Sequence, residues 1–99
     1  MADLRNETVD RLFEAILGLE TIDDCYRFFE DICTIRELRD ISQRLSIAEL
    51  LNQGMNYQSI ARRVDASSAT ISRVNRCLLY GSGGYRAAIS KMQALEDTK

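Results

Sequence analysis

The chain has 99 residues, 45% of them hydrophobic and 28% charged, which is typical of a single compact domain over residues 1–99 and leaves no room for a second. Its net charge is −2, but residues 1–35 carry nine acidic residues against three arginines, whereas residues 54–86 carry five arginines against Asp65 alone. Histidine is absent, which removes the commonest general base and transition-metal ligand, so we predict no catalytic residues, no metal, no cofactor and no enzyme.

The first ten residues carry acidic side chains from the third position and lack an apolar stretch, so they do not resemble a secretory signal. We therefore expect a cytoplasmic protein. The longest stretch without a charged side chain, residues 50–61, is too short and too polar to span a bilayer, so no membrane helix is predicted. The three cysteines, Cys25, Cys33 and Cys77, match neither a disulfide framework nor a CxxC pair, and we expect them to be small buried apolar residues.

The first two predicted elements are helices with one apolar side each. Proline is absent and apolar residues recur at three and four spacing, which predicts an all-α chain. Asn6 caps a first helix that ends at Gly18, and Thr21 with Asp24 opens a second helix in a variant capping box. Their apolar stripes consist of Val9, Leu12, Phe13, Ile16 and Leu17, and of Cys25, Phe28, Phe29 and Ile32. Because a chain this short has a thin core, we predict an obligate homodimer that covers both stripes.

Four further helices are predicted along the rest of the chain. Thr34 and Glu37 form a full capping box that opens a third helix ending at Gly54. Two short helices follow over residues 57–64 and 68–79. After a glycine-rich break at residues 81–84 comes a final helix with one apolar side, formed by Tyr85, Ala88, Ile89, Met92 and Leu95.

The two short helices have the spacing of a helix-turn-helix of the DNA-binding kind. Asp65 stands where glycine is usual in the turn, and aspartate is among the few other residues that tolerate a left-handed conformation. Ser67 is the expected cap of the second short helix, and Ala61 falls where only a small side chain lets the two backbones approach. The residues expected to be buried between the helices are Ile60, Val64, Ala66, Ile71 and Val74.

The second short helix carries the functional prediction. Its period turns Ile71, Val74 and Leu78 inward and turns outward a small, polar and basic face that suits the major groove of DNA, formed by Ala69, Ser72, Arg73 and Arg76. The alternatives are an ordinary helical hairpin with solvated arginines, or a protein-interaction module in which the helical dimer is a scaffold and the acidic amino half recruits a partner. A salt titration distinguishes DNA binding from protein interaction. Neutralisation of phosphates makes DNA affinity fall steeply as the salt concentration rises, whereas a mainly apolar protein contact would barely respond.

Three sequence stretches carry a resemblance that extends beyond the helix-turn-helix. They are DCYRFFEDICT at residues 24–34, QRL at residues 43–45, and ATISRVNRCLLYG at residues 69–81. With them the chain resembles the YerC/YecD family, which is itself similar to the tryptophan repressor, over residues 6–95. The resemblance implies a six-helix fold and an intertwined homodimer built from residues 6–53 and 85–96, with the helix-turn-helix at residues 57–79. It implies a transcriptional regulator, a repressor, whose partner is double-stranded DNA. For a dimer with half-sites about one helical turn apart, we predict a palindromic operator.

The resemblance also implies the site residues. Operator contacts fall on Gln58, Ser68, Ala69 and Ser72, and the basic residues Arg62, Arg73 and Arg76 are expected to support them on the DNA backbone.

A corepressor pocket is implied at Thr34, Arg44, Thr70 and Arg73, the residue types that hold tryptophan in the repressor. However, Val74 replaces a glycine, Cys77 replaces the serine that receives the amino group, and one residue is missing between Gly54 and Gln58. We therefore predict that free tryptophan is not required, with Thr34 acting as a helix cap and Arg44 as a solvated or dimer-facing charge. The alternative is a ligand-responsive repressor with an unknown small-molecule effector in this pocket.

Overall fold

A computed structural model describes residues 4–97 as six α-helices joined by short turns. In chain order they are α1 (Glu7–Leu17), α2 (Ile22–Ile32), α3 (Ile35–Asn52), α4 (Tyr57–Val64), α5 (Ser68–Tyr80) and α6 (Gly84–Asp97). The described part of the chain has no β-strand, so the all-α prediction is confirmed in the number and order of its helices. None of these helices is long and apolar enough to cross a membrane. Residues 1–3 and 98–99, which the single-domain prediction included, lie outside the described residues.

The chain divides into two compact units between Leu38 and Arg39. In the first unit, α1 and α2 contain no buried residue, although both carry the predicted apolar stripe. Phe13 is 54% exposed and Leu17 84% exposed. A hollow of about 520 Å³ lies beside this stripe, lined by Leu4, Arg5, Asn6, Val9, Asp10 and Phe13. The first unit therefore leaves a large apolar surface uncovered.

Helix caps fix where the first three helices begin, as the sequence predicts. The Asn6 side chain accepts a hydrogen bond from the Val9 N–H at 2.9 Å. The Thr21 hydroxyl accepts from the Asp24 N–H at 3.0 Å, while the Asp24 carboxylate accepts from the Thr21 N–H at 3.3 Å. Both predicted capping boxes are present, because Thr34 is likewise bonded to Glu37 in both directions, at 2.9 Å and 3.0 Å.

The second capping box makes stability depend on pH. The Thr34 N–H, followed by the Thr34 hydroxyl, holds the pKa of Glu37 below its ordinary value of 4.5. A carboxylate whose pKa is lower in the folded state stabilises that state above its unfolded pKa, and this contribution is lost as the pH falls through the folded pKa. We expect Glu37→Gln to lower the thermal midpoint at pH 7 and to have progressively less effect below pH 4.5. Thermal unfolding of wild type, Glu37→Gln and the exposed control Glu30→Gln checks this, and an effect that stayed constant with pH would contradict it.

The second unit has the hydrophobic core. It is formed by α3, α4, α5 and α6 through Ile47, Ala48, Leu50, Ile60, Ile71, Val74, Leu78 and Ile89. The four core residues of α4 and α5 are those that the helical period predicts to face inward. On α6 only Ile89 is buried, whereas Tyr85 and Met92 are half-buried and Leu95 is exposed. The core therefore holds the two short helices against α3, and α6 contributes one turn to it.

The prediction that the cysteines are buried was wrong. Cys25 and Cys77 are exposed and Cys33 is half-buried. Cys25 lies on the apolar stripe of α2, where Phe28 and Phe29 are half-buried and no residue is fully buried. On α5 the buried side is filled by Ile71, Val74 and Leu78, which leaves Cys77 outside the core.

Candidate nucleic-acid interface

The turn between α4 and α5 has the conformation that the sequence predicts. Asp65 lies in the left-handed region, with φ 52° and ψ 51°. Ser67 is extended, and its hydroxyl accepts a hydrogen bond from the Thr70 N–H at 3.2 Å, which caps α5. Val64 and Ala66 pack, half-buried, against the core on either side of Asp65. The turn is therefore short and fixed at both ends, so it sets the angle between the two helices.

The start of α4 is fixed by a motif that the sequence revealed only in part. Gly54 has a positive φ of 88°, and its N–H donates to the Leu51 carbonyl while the Met55 N–H donates to the Leu50 carbonyl. This Schellman pattern confirms Gly54 as the residue that ends α3. Asn56, which sequence reasoning missed, then caps α4 by accepting from the Ser59 N–H at 2.9 Å. An asparagine directly before a helix was the available signal.

The residues predicted to contact DNA are all exposed, and they come from α4 and α5 only. We call this set the basic face; it consists of Gln58, Arg62, Ser68, Ala69, Ser72, Arg73 and Arg76. Arg63, in the last turn of α4, is also exposed and adds a cation that was not predicted to contact DNA. Small side chains in the first turns of α5 leave its backbone accessible, while the arginines supply charge that phosphate groups attract.

A small cavity lies between α3 and α5. Its volume is about 180 Å³, and it is lined by Asp40, Gln43, Arg44, Thr70 and Arg73. The cavity thus brings together three of the four predicted pocket residues, together with Asp40 and Gln43, which were not predicted. The fourth, Thr34, belongs to the first unit, where its hydroxyl caps α3.

One hydrogen bond restricts what this cavity can hold. The Thr70 hydroxyl is hydrogen-bonded to the Ser67 hydroxyl at 3.0 Å, so part of its bonding capacity serves the cap of α5. Val74, one of the changes on which the prediction against tryptophan rests, is 1% exposed in the core and does not line the cavity, so it does not itself reduce the space there. Within residues 4–97, no three histidine, cysteine, aspartate or glutamate side chains come together as metal ligands.

Residues 7–93 match the sequence profile of the Trp repressor protein family. The chain belongs to the Trp repressor family. It is 45% identical over 93 residues to the uncharacterized protein YerC of Bacillus subtilis (strain 168), a match that covers 94% of this chain and 89% of YerC. The predicted resemblance is confirmed.

Two crystal structures of Trp repressor-like proteins share the fold. A candidate Trp repressor from Staphylococcus aureus matches with a TM-score of 0.88 and 44% identity, covering 91% of this chain and 90% of that one. A TrpR-like protein from Eubacterium eligens ATCC 27750 also matches with a TM-score of 0.88, at 46% identity, covering 91% of this chain and 93% of that one. The six helices are therefore those of a Trp repressor fold.

One polar contact in this Trp repressor fold joins α3 to the turn of the helix-turn-helix. The side-chain amide of Gln43 donates to the Val64 carbonyl at 3.0 Å and points to the Asp65 carbonyl at 3.4 Å. Sequence reasoning missed this role, because the partners lie 21 and 22 residues away along the chain. The only sequence signal was the place of Gln43 in one of the family stretches.

Proposed function

We propose that this chain is a sequence-specific DNA-binding transcriptional regulator, a repressor that acts in the cytoplasm as a homodimer. The observation that carries the proposal is the basic face: seven exposed, small, polar or basic residues on the outer side of a helix-turn-helix. The same two helices bury Ile60, Ile71 and Val74 on their inner side, so the basic face is held on a rigid support. Membership of the Trp repressor family supports the same conclusion.

Within the basic face, we assign two roles by side-chain chemistry. Ser68, Ala69 and Ser72 face the base edges, where small side chains permit close approach and water-mediated contacts. The phosphate contacts come from Gln58, Arg62, Arg73 and Arg76, which position the helix on the duplex. Because serine and alanine offer few bidentate contacts, each changed base pair should cost only on the order of 1 kcal/mol.

The dimer places two copies of the basic face on one DNA. We assign dimerisation to residues 6–53 and 85–96 of the single domain, and DNA recognition to residues 57–79. The uncovered stripes of α1 and α2 support this assignment, since a second copy offers matching apolar surface. A two-fold dimer reads a palindrome, with half-sites about one helical turn, or roughly 34 Å, apart.

Selection from random DNA tests the proposal directly. Purified protein is incubated with a library of random duplexes at physiological salt, and the bound fragments are sequenced and titrated at several salt concentrations. We expect a palindromic consensus and an affinity that falls steeply with salt, because phosphate contacts release counterions. Equal affinity for selected and random DNA would remove sequence specificity from the proposal. An absence of salt-dependent DNA binding would favour the protein-interaction module.

We also propose that DNA binding does not require free tryptophan. The cavity beside Arg44, Thr70 and Arg73 has about 180 Å³, which is below the roughly 300 Å³ at which ligand pockets usually begin. Val74 already fills the core side of α5 with a stiff β-branched group, so the helix needs no ligand to hold it in place. The observation that favours the alternative, a ligand-responsive repressor, is that two arginines and a threonine line one cavity.

Addition of millimolar L-tryptophan should therefore leave DNA affinity nearly unchanged. Calorimetry of the protein with tryptophan, beside DNA titrations with and without it, is the measurement. Saturable heat together with a tenfold or larger gain in affinity, or about 1.4 kcal/mol of coupling, would establish the ligand-responsive alternative instead.

A further inference from the structure

The contact between Gln43 and the α4–α5 turn joins α3, a helix of the core, to the helix-turn-helix that carries the basic face. Gln43 lies on α3, one helical turn before Ile47, which is fully buried in the core. Its side-chain partners, the carbonyls of Val64 and Asp65, are at the carboxyl end of α4 and in the turn that leads to α5. A rigid helix therefore contacts the one segment that sets the angle of α5.

The two carbonyls lie at the end of a helix, where a side-chain donor can replace the missing N–H partners. The last carbonyl groups of an α-helix have no N–H from the next turn to accept, and Val64 is the last residue of α4. With only eight residues, α4 is too short to be stable without tertiary support. In addition, Asp65 holds a left-handed conformation that is unfavourable for residues with a side chain.

The Gln43 contact differs in kind from the apolar core around it. Apolar contacts are non-directional, so they hold α4 and α5 together while tolerating small rotations. A hydrogen bond requires a defined distance and angle between its donor and acceptor, and Gln43 sends one amide group to two successive carbonyls. The bond therefore restrains the orientation of the peptide groups in the turn.

We infer that Gln43 is a positioning residue, which fixes the α4–α5 turn and thereby aligns the basic face for recognition of a specific DNA sequence. The inference rests on the proposed function and assigns to it a residue that does not itself contact DNA. Base contacts from Ser68, Ala69 and Ser72 need an exact angle of α5, because short side chains cannot adapt to a displaced helix. Phosphate contacts from long arginines tolerate such a displacement.

Substitutions of Gln43 test the inference against a matched control. Gln43→Met keeps the length of the side chain and removes the donor, whereas Gln43→Glu places a carboxylate before two carbonyl oxygens. Gln53→Met and Gln53→Glu make the same chemical changes at an exposed residue after α3. For each variant we would measure affinity for the selected operator and for random DNA, the thermal midpoint, and amide hydrogen exchange at residues 64–70.

Gln43→Met should lose about tenfold in operator affinity, with less than about a twofold change on random DNA. Gln43→Glu should lose more, and the Gln53 variants should match the wild type. Faster exchange should appear at residues 64–70. A lower thermal midpoint with equal loss on both DNAs would show a merely structural role and overturn the inference, as would unchanged operator affinity. If the wild type bound no DNA, the proposed function would fall, and with it the role in recognition. The exchange data would then still decide whether Gln43 fixes the turn.

Discussion

Phe13→Glu should dissociate the proposed dimer into a species that no longer associates at micromolar concentration. Phe13 is half-exposed on the apolar stripe of α1 and lines the hollow beside it, where a second chain would cover it. Loss of a buried aromatic anchor costs about 2 kcal/mol or more, and a two-fold dimer contains it twice. The dissociation constant should therefore rise about a thousandfold. The burial of a new carboxylate adds to this effect.

Ala15→Glu is the matched control, because it adds the same charge to α1 on a side away from the stripe. Light scattering and sedimentation over a range of concentrations give the mass of each variant, and circular dichroism reports the helix content. A wild-type mass of one chain, with unfolding independent of concentration, would reject the dimer. Equal dissociation of both variants would show that added charge, and not the stripe, is responsible.

Arg76→Ala should weaken binding to all DNA sequences alike, by about tenfold or more at physiological salt. Arg76 is exposed on α5 and belongs to the basic face. A dimer loses two such arginines at once, and each lost phosphate contact should reduce the salt slope by about one. The preference for the selected operator over random DNA should be retained, since phosphate contacts carry no sequence information.

Arg11→Ala provides the comparison for the loss of an arginine. Arg11 is exposed on α1 and pairs with Glu14 at 3.1 Å, within the acidic half of the chain. Its removal should leave DNA affinity and salt slope unchanged. Titrations of both variants at four or more salt concentrations are the measurement. If Arg76→Ala changed the preferred sequence while keeping the wild-type salt slope, Arg76 would contact bases, and the assignment of roles within the basic face would be wrong.

The parts of the fold that follow from local chemistry could be predicted from the sequence. A helix cap is a contact between residues three apart in the chain. Asn6, Thr21 and Ser67 can therefore be recognised as caps from their residue types and their positions just before a helix. Asp65 could be assigned a left-handed conformation because the turn requires one and aspartate tolerates it. The inner side of α5 followed from its helical period alone.

The parts that depend on distant residues could not be predicted. Gln43 lies on α3, and nothing near it in the chain indicates that its amide meets the end of α4. Asp40 joins the cavity beside Arg44 and Arg73 for the same reason, since only the packing of α3 on α5 brings them together. The exposure of Cys25 shows a further limit of prediction from sequence. An apolar stripe indicates that its residues favour burial, but it does not indicate whether the same chain or a second chain buries them.

The lack of any buried residue in α1 and α2 has a consequence for how such a regulator responds to its own abundance. In the proposed dimer, the apolar stripes of α1 and α2 are buried only when two chains associate. Folding of the amino-terminal half is therefore coupled to dimerisation. Below the midpoint of that equilibrium, the amount of paired protein grows with the square of the number of chains. For such a dimer, a modest change in synthesis or degradation would produce a disproportionate change in operator occupancy, and the protein's own concentration would set a threshold.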